Sequence, residues 1–310
     1  MLDVRRMRVL REVAQRGSFS AAAEALSFTQ SAVSQQIAAL EREAGAVLVQ
    51  RSARGVRLTE AGEAVVRHTE AILARLAEAE SELEAIAGLK GGRLRMASFE
   101  SAGATLMPLA IAAFRERHPA VELSMTMLEP EDSIPQLRSG ELDLAITFSA
   151  GRGHEPHEGL SHQHLIDDPM YLVLPKTHPL AGKRRLRLAD LEGEAWIGGP
   201  TDCECNRLIY RACAAAGYDP RIAFETDDYQ AVQGFVAAGV GVSLIAELGL
   251  RSIRDDIVVR DIGRDTPVRS IHATTLSEGY RSPSSQAMLG ILAEVAAGYE
   301  QRRPRLSLVG

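Results

Sequence analysis

The sequence predicts two modules of different fold class: a small all-α head that runs into a long linker helix, and then a two-lobed α/β domain. Three observations support this. Apolar residues follow helical spacing in two helices within residues 20–43, a heptad pattern fills residues 65–86, and alternating strand and helix patterns begin at residue 93. A chain of 310 residues with 45 % hydrophobic content is long enough for several cores.

The head begins with a helix, a tight turn and a second helix within residues 17–51. Ser20 is a candidate N-cap for the first helix of this motif, because its hydroxyl can accept a hydrogen bond from a free backbone N–H. Ala22, Ala23 and Leu26 supply a compact apolar side, and residues 27–29 end the helix. Small side chains of this kind allow two helices to cross closely.

The second helix, over residues 30–43, has one apolar stripe and one polar face. Val33, Ile37 and Leu40 lie three to four residues apart, which is the spacing of a buried helix face. Glutamine can pair with adenine in the major groove, and serine can donate to or accept from base edges. We therefore predict that four residues on the opposite face read DNA bases: Gln30, Ser31, Ser34 and Gln35.

Many positions in the head follow one known pattern: Leu10, Gly17, Ser18, Phe19, Ala22, Ala23, Leu26, Gln30, Ser31, Ser34, Ile37, Leu40, Glu41, Gly45, Leu48, Arg51, Leu58, Thr59 and Gly62. With these residues the segment resembles the winged helix-turn-helix of LysR-type transcriptional regulators. The resemblance implies double-stranded operator DNA as a partner. Val49 departs from it, since the family usually has phenylalanine there, and we expect looser packing of the wing.

Positive charge is concentrated in the head. Residues 1–58 hold nine arginines and five acidic residues, a net charge of +4, so the remaining 252 residues carry −10. Arg51, Arg54 and Arg57 are grouped in the predicted wing, where they could contact phosphates or the minor groove. The acidic balance of the whole chain, −6, therefore does not argue against nucleic-acid binding.

A long helix should follow the head, which we place at residues 1–58. Thr59 is a plausible N-cap, and Gly88 with residues 91–92 can end the helix, so the linker covers residues 59–89. A heptad seam predicts pairing with a second copy through Val65, Ile72, Leu76, Leu83 and Ile86. In the resembled family this helix dimerises the DNA-binding heads, which implies a homodimer or homotetramer.

Residues 90–310 alternate between strand and helix patterns in two sets, which favours a mostly parallel sheet with helices on both faces. This region resembles the periplasmic-binding-protein-like (type II) effector domain of the same family, chiefly through residues 140–143, 178–180 and 237–245. The resemblance implies two lobes with two chain crossings. We place lobe I at about 93–165 and 268–300, and lobe II at about 166–267.

Ligands of open α/β sheets bind beyond the carboxyl ends of strands, where helix N-termini offer free donors. This rule selects the predicted effector-binding residues: Ser98, Glu100, Ser101, Ala102, Met127, Glu129, Phe148, Thr201, Cys203 and Asp227. The family commonly binds small effectors, often carboxylates. The three acidic residues of this set leave the effector's charge open.

Cysteines and histidines suggest a thiol-redox or metal-responsive regulator as an alternative. The peroxide-sensing branch of the family has a cysteine pair in a corresponding loop and helix, here matched imperfectly by Cys203, Cys205 and Cys213. Four histidines within residues 154–164 could add soft-metal ligands, although a solvated loop is the simpler interpretation: His154, His157, His162 and His164.

An enzyme is the remaining alternative, in the form of a cysteine hydrolase using Cys203 or Cys205 with a loop histidine. The sequence has no nucleophile elbow, no phosphate-binding loop and no complete dinucleotide fingerprint. We therefore expect no catalysis and no cofactor beyond an unknown small-molecule effector. Without a signal peptide or membrane span we expect a cytoplasmic protein, and the resemblance adds RNA polymerase as a further partner.

Overall fold

A computed structural model of the chain describes residues 1–52, 55–86, 92–150, 158–199, 203–277 and 281–302. The backbone forms two compact units, one made of Met1–Ser81 with Arg138–Glu141 and the other of the remaining residues. Within the described ranges, no helix combines the length and apolar character needed to cross a membrane.

Three helices form the head: α1 (Val4–Arg16), α2 (Phe19–Ala25) and α3 (Gln30–Ala44). The predicted stripe of α3 is buried against α1 and α2 in a small core. The predicted cap at Ser20 is wrong, because Ser18 is the N-cap of α2 and its hydroxyl accepts from the N–H of Ala21. Ser20 lies inside the helix and is exposed. Helix α1 was not predicted from the sequence.

A two-stranded antiparallel hairpin, β1 (Val49–Ser52) and β2 (Gly55–Leu58), forms the wing and leads into α4 (Glu60–Ile86). This hairpin is the wing that the sequence predicts after the second helix of the motif. Thr59 caps α4 as predicted, since its hydroxyl accepts from the N–H of Gly62 at 3.0 Å. Gly62 is buried, and a Cβ there would collide with the carbonyl oxygen of Leu48. This close approach requires glycine.

The second unit is built on strands and helices in the following order: β3 (Arg93–Ser98), α5 (Glu100–Gly103), α6 (Leu106–Arg117), β4 (Glu122–Met127), α7 (Pro130–Arg138), β5 (Leu144–Ala150), β6 (Leu160–Pro175), β7 (Ala195–Gly198), α8 (Glu204–Ala215), β8 (Arg221–Glu225), α9 (Tyr229–Ala237), β9 (Ser243–Ala246), β10 (Ile257–Arg260), β11 (Val268–Leu276) and α10 (Pro283–Gln301). Seven of these strands form one sheet in the order β10-β6-β11-β5-β3-β4, with β9 also paired to β6. Strands β7 and β8 form a separate parallel pair.

The sheet is less parallel than predicted. Strand β3 pairs in parallel with β4 and β5, but β11 is antiparallel to both β5 and β6, and β6 is antiparallel to β9 and β10. The reason is that β6 and β11 are long strands that carry the chain between the two lobes. Each of the two strands runs antiparallel to the strands that it pairs with.

Strand β6 joins the two lobes and was only half predicted. Its first part, up to Pro169, pairs with β11, and from Met170 it pairs with β9 and β10. The predicted solvated loop is wrong for His162 and His164, which lie in this strand. The Nδ1 of His162 is 2.9 Å from the hydroxyl of Thr274, and the Nε2 of His164 is 3.0 Å from Asp167. His154 and His157 lie outside the described residues.

Each lobe has its own hydrophobic core. The first lobe packs β3, α6 and α10 around Phe114, Ile271 and Leu292. The second packs β6, β7 and α8 around Trp196 and Leu244. Because β6 changes partners between Pro169 and Met170, the first crossing comes a few residues later than predicted.

Candidate functional site

Helix α3 presents a polar face in the head. Gln30, Ser31 and Gln35 are exposed and Ser34 is partly exposed, while Val33 on the opposite side is fully buried. The four polar residues thus share the open side of the first turns of α3. A helix with short polar side chains in its first turns can place them against base edges in the major groove.

Hydrogen bonds at both ends fix the position of α3 in the head. The Thr29 hydroxyl accepts from the N–H of Ala32 at 3.2 Å and caps its first turn. Near the other end, the Glu41 carboxylate accepts from the backbone N–H of Leu48 at 2.8 Å and of Val49 at 3.3 Å. Glu41 therefore connects α3 to the start of the wing. It is one of the positions that match the family pattern, and these hydrogen bonds give it a positioning role.

The wing presents at least one arginine to solvent. Arg57 lies on β2 and is exposed. The side chain of Arg51 and all of Arg54 lie outside the described residues, so their predicted phosphate contacts stay predictions. The phosphate contact predicted for Arg57 is compatible with this exposure and also stays a prediction.

Helix α4 carries apolar side chains that are exposed in the described part of the chain. Ile72, Leu76 and Leu83 are 36 %, 47 % and 66 % exposed. Val65, the first predicted seam residue, instead packs against the core of the head. The side chain of Ile86 lies outside the described residues. The exposed part of the seam therefore begins at Ile72, about three turns into α4.

The second unit contains a cavity between its lobes. Its volume is about 630 Å³, counting the open mouth. The first lobe contributes Phe99, Glu100, Ser101 and Glu129, and β11 contributes Arg269. The second lobe supplies the opposite wall: Met170, Ile197, Gly198, Gly199, Cys203, Cys205, Ile209, Thr226, Asp227, Tyr229, Val232, Ser243 and Leu244. Below we call this cavity the cleft.

A buried arginine lies at the floor of the cleft. The Nε of Arg269 donates to Asp168 at 2.8 Å, and each side chain is 1 % exposed. A second guanidinium nitrogen donates to the hydroxyl of Ser101. The guanidinium carbon is 4.8 Å from the ring centroid of Phe99 and 5.1 Å from that of Phe148. Burial alone would lower the pKa of Arg269, but Tyr229 and Asp168 outweigh it and the pKa is raised.

Carboxylates line the rest of the cleft. Burial raises the pKa of Glu129 to about 7, Arg269 opposes this rise, and Glu131 adds to it. The pKa of Glu100 is also raised, first by burial and then by the charges of Asp228 and Asp227. Near neutral pH, Glu129 is therefore divided between its charged and neutral forms.

Half of the predicted effector residues line the cleft: Glu100, Ser101, Glu129, Cys203 and Asp227. Phe148 lies beneath Arg269 rather than on the surface, and Thr201 lies outside the described residues.

Besides Phe148, three predicted effector residues do not line the cleft. Ser98 is fully buried and donates to the carbonyl of Phe99, and Ala102 packs in the first core. Met127 is half-exposed and lies against Gly103. All three lie near the ends of strands β3 and β4, but a position near a strand end does not decide the direction of a side chain.

Burial opposes thiolate formation at the two cysteines that line the cleft. Burial raises the pKa of Cys203 to about 12, although its sulfur accepts from the N–H of Asn206 at 3.2 Å. Burial also raises the pKa of Cys205, against the opposing charge of Arg269. Reactive cysteines need a lowered pKa. Cys213 is fully buried in the second core.

Within the described part of the chain, no three His, Cys, Asp or Glu side chains are arranged to hold a metal ion. The described lining of the cleft also contains no histidine that could activate Cys203 or Cys205 as a nucleophile.

Sequence reasoning missed the arginine and its partner. Asp168 and Arg269 are 101 residues apart and meet only because β6 and β11 are neighbours in the sheet, where the two residues face each other. An available signal was Arg269, the one Arg, Lys, Asp or Glu in the strand-like segment 268–275, since buried charges are usually paired.

The comparisons with known proteins agree with both units. Residues 4–63 match the family described as bacterial regulatory helix-turn-helix protein, lysR family, and residues 87–297 match the LysR substrate binding domain.

Full-length relatives and a solved structure extend the match. A probable HTH-type transcriptional regulator LrrA of Synechococcus elongatus is 31 % identical over 95 % of this chain and 98 % of its own. The RuBisCO operon transcriptional regulator of Allochromatium vinosum is 31 % identical over 79 % of this chain and 80 % of its own. The crystal structure of CbnR, a LysR family transcriptional regulator, covers 95 % of this chain and 99 % of its own with a TM-score of 0.63 at 23 % identity. The chain belongs to the LysR family of transcriptional regulators.

Proposed function

We propose that this regulator reads an operator through α3 and that a small molecule bound in the cleft changes how it does so. The observation that carries the proposal is that both lobes and the crossing strand β11 line one cavity. A ligand that contacts both walls favours the closed arrangement of the lobes over the open one. We further propose that the protein acts in the cytoplasm, without catalysis or a cofactor, and that RNA polymerase is a partner.

The DNA-reading side of the proposal rests on Gln30, Ser31, Ser34 and Gln35, with Arg57 as a phosphate contact. Uncharged side chains on an exposed helix face suit base recognition, because they add little attraction to DNA of any sequence. The arginine adds affinity that does not depend on sequence and that falls with salt.

Pairing of α4 from two copies would bring two heads to two half-sites. The exposed residues Ile72, Leu76 and Leu83 support this, because an apolar stripe on a single long helix is stabilised when a second helix covers it. A homodimer, or a homotetramer made from two such dimers, is the assembly we propose.

The experiment compares DNA fragments that the protein selects from a randomised pool with scrambled fragments of the same length, by fluorescence anisotropy. Gln30→Ala should cost about 1 to 3 kcal/mol on the selected fragment and little on the scrambled one. Arg57→Ala should weaken binding to both and reduce the salt slope by about 1. Gln15→Ala, at an exposed glutamine of α1, is the matched control. Equal losses on both fragments for Gln30→Ala would contradict base reading.

A further inference from the structure

The charges of the cleft are not balanced by its own residues. Arg269 is the one Arg, Lys or His among the described residues of the lining. Its charge is already matched by Asp168 at 2.8 Å, with both side chains 1 % exposed. Its remaining guanidinium hydrogen bonds go to Ser101, Cys205 and Tyr229. The cleft therefore holds no uncompensated positive charge in the described chain.

Three carboxylates line the cleft in addition to the charge-balanced pair of Arg269 and Asp168. Glu100, Glu129 and Asp227 all line the cleft, and within the described ranges none of them forms a salt bridge. Glu129 is partly buried, and its pKa is raised to about 7 by burial and by other carboxylates, with Arg269 opposing. Bringing like charges together in a partly buried site costs free energy that a bound cation would offset.

A buried side chain next to the cleft also lacks partners. Asn206 is 1 % exposed, and within the described chain neither its Oδ1 nor its Nδ2 has a hydrogen-bond partner. Its amide lies against Gly198, a lining residue, where an added Cβ would be 2.5 Å from Oδ1. Buried polar groups nearly always have partners, so a water or another polar group belongs beside this amide.

The remaining walls of the cleft are apolar. Phe99, Met170, Ile197, Ile209, Val232 and Leu244 supply them. A cavity with hydrophobic walls and a few polar groups binds a ligand that has the same division. The ligand's carbon body would pack on these walls, and its charged end would face the carboxylates.

We propose that the effector of this regulator is a small organic cation, an apolar body that carries a protonated amine or a guanidinium group. This inference rests on the proposed function of the cleft as the effector site and assigns the ligand class. Glu129 and Glu100 accept from the cationic group, and Asp227 adds attraction from the mouth. A ligand that carried only a carboxylate would instead meet these three like charges.

The class can be tested with three probes of equal length: n-pentylamine, pentanamide and pentanoate. Binding to the full-length protein is measured by ligand-observed NMR at millimolar concentrations. We expect pentylammonium to bind most tightly. Glu129→Gln should weaken it at least tenfold, or about 1.4 kcal/mol. Glu116→Gln, at an exposed carboxylate of α6 outside the cleft, is the matched control and should have no effect.

The wild-type protein supplies a second measurement that needs no variant. With a pKa of about 7, Glu129 is mostly charged at pH 8 and mostly neutral at pH 6. Affinity for pentylammonium should therefore rise with pH, by up to about tenfold between about pH 6 and about pH 8. Affinity for pentanoate should move in the opposite direction.

Tight binding of pentylammonium that is lost in Glu129→Gln and rises with pH supports the proposal. Preference for pentanoate or pentanamide overturns the ligand class and leaves the cleft as the effector site. If none of the three probes binds, the ligand class is overturned.

Discussion

The buried pair of Asp168 and Arg269 offers the most direct test of how the second unit is held together. Asp168→Asn removes the negative charge but keeps an oxygen that can accept from the N–H of Leu248, now 3.1 Å from the carboxylate. Arg269 would then keep its charge, 1 % exposed, without a counter-charge. The perturbation is thus almost purely electrostatic.

The expected cost follows from this geometry. Removing one partner of a buried ion pair typically destabilises by about 3 to 5 kcal/mol, because the other charge is left in a poorly solvated place. Arg269→Met should cost about as much, and it also loses the contacts of the guanidinium with Phe99 and Phe148. The double variant should cost less than either single variant, since no isolated charge remains.

Urea unfolding followed by the fluorescence of Trp196 measures these changes. It is the one tryptophan of the chain and is fully buried in the second lobe. A loss of about 3 kcal/mol should lower the midpoint by about 1 M urea or more. Asp256→Asn breaks an exposed pair with Arg254 of similar length, 2.7 Å, and should leave the midpoint unchanged. The reasoning is refuted if Asp168→Asn behaves like Asp256→Asn, or if the costs of the single variants simply add.

Two further predictions concern α4 and the cleft cysteines. Replacing Leu76 and Leu83 with lysine should dissociate the dimer, which light scattering detects as a lower mass. Operator affinity should then fall far more than the DNA contacts of one head explain, since two linked heads gain from effective concentration. An unchanged mass would contradict pairing through the seam. Peroxide should not change the DNA footprint of the wild-type protein, because burial raises both thiol pKa values. The variants Cys203→Ser and Cys205→Ser should therefore give the same footprint as the wild type, with and without peroxide. A peroxide-dependent footprint that either serine variant abolishes would restore the redox alternative.

The helix-turn-helix of the head could be predicted closely from the sequence because its signals are local. The stripe of α3 repeats every three to four residues, and burial of Val33, Ile37 and Leu40 follows from that spacing alone. The error at Ser20 has the same local scale, since Ser18 and Ser20 are both good caps and only the backbone decides which one ends outside the helix.

The strands of the second unit could be predicted less well. The first half of β6 contains histidines, aspartates and a glutamine, so its composition indicated a loop. In the structure these residues face partners on β11, such as Thr274 for His162, and the strand is stabilised by pairing rather than by its own apolar content. Strand propensity depends on such neighbours, which a single segment does not reveal.

Some residues of the cleft could likewise be predicted from the sequence, and others could not. Glu100, Ser101 and Glu129 were found because they follow strands β3 and β4, and a strand's end is visible in the local pattern. Arg269 and Asp168 were not, because their contact depends on the register between β6 and β11. Local periodicity sets which residues form a helix or strand. The pairing of distant strands sets which charges meet, because a buried charge is stable only where the folded chain brings it a partner.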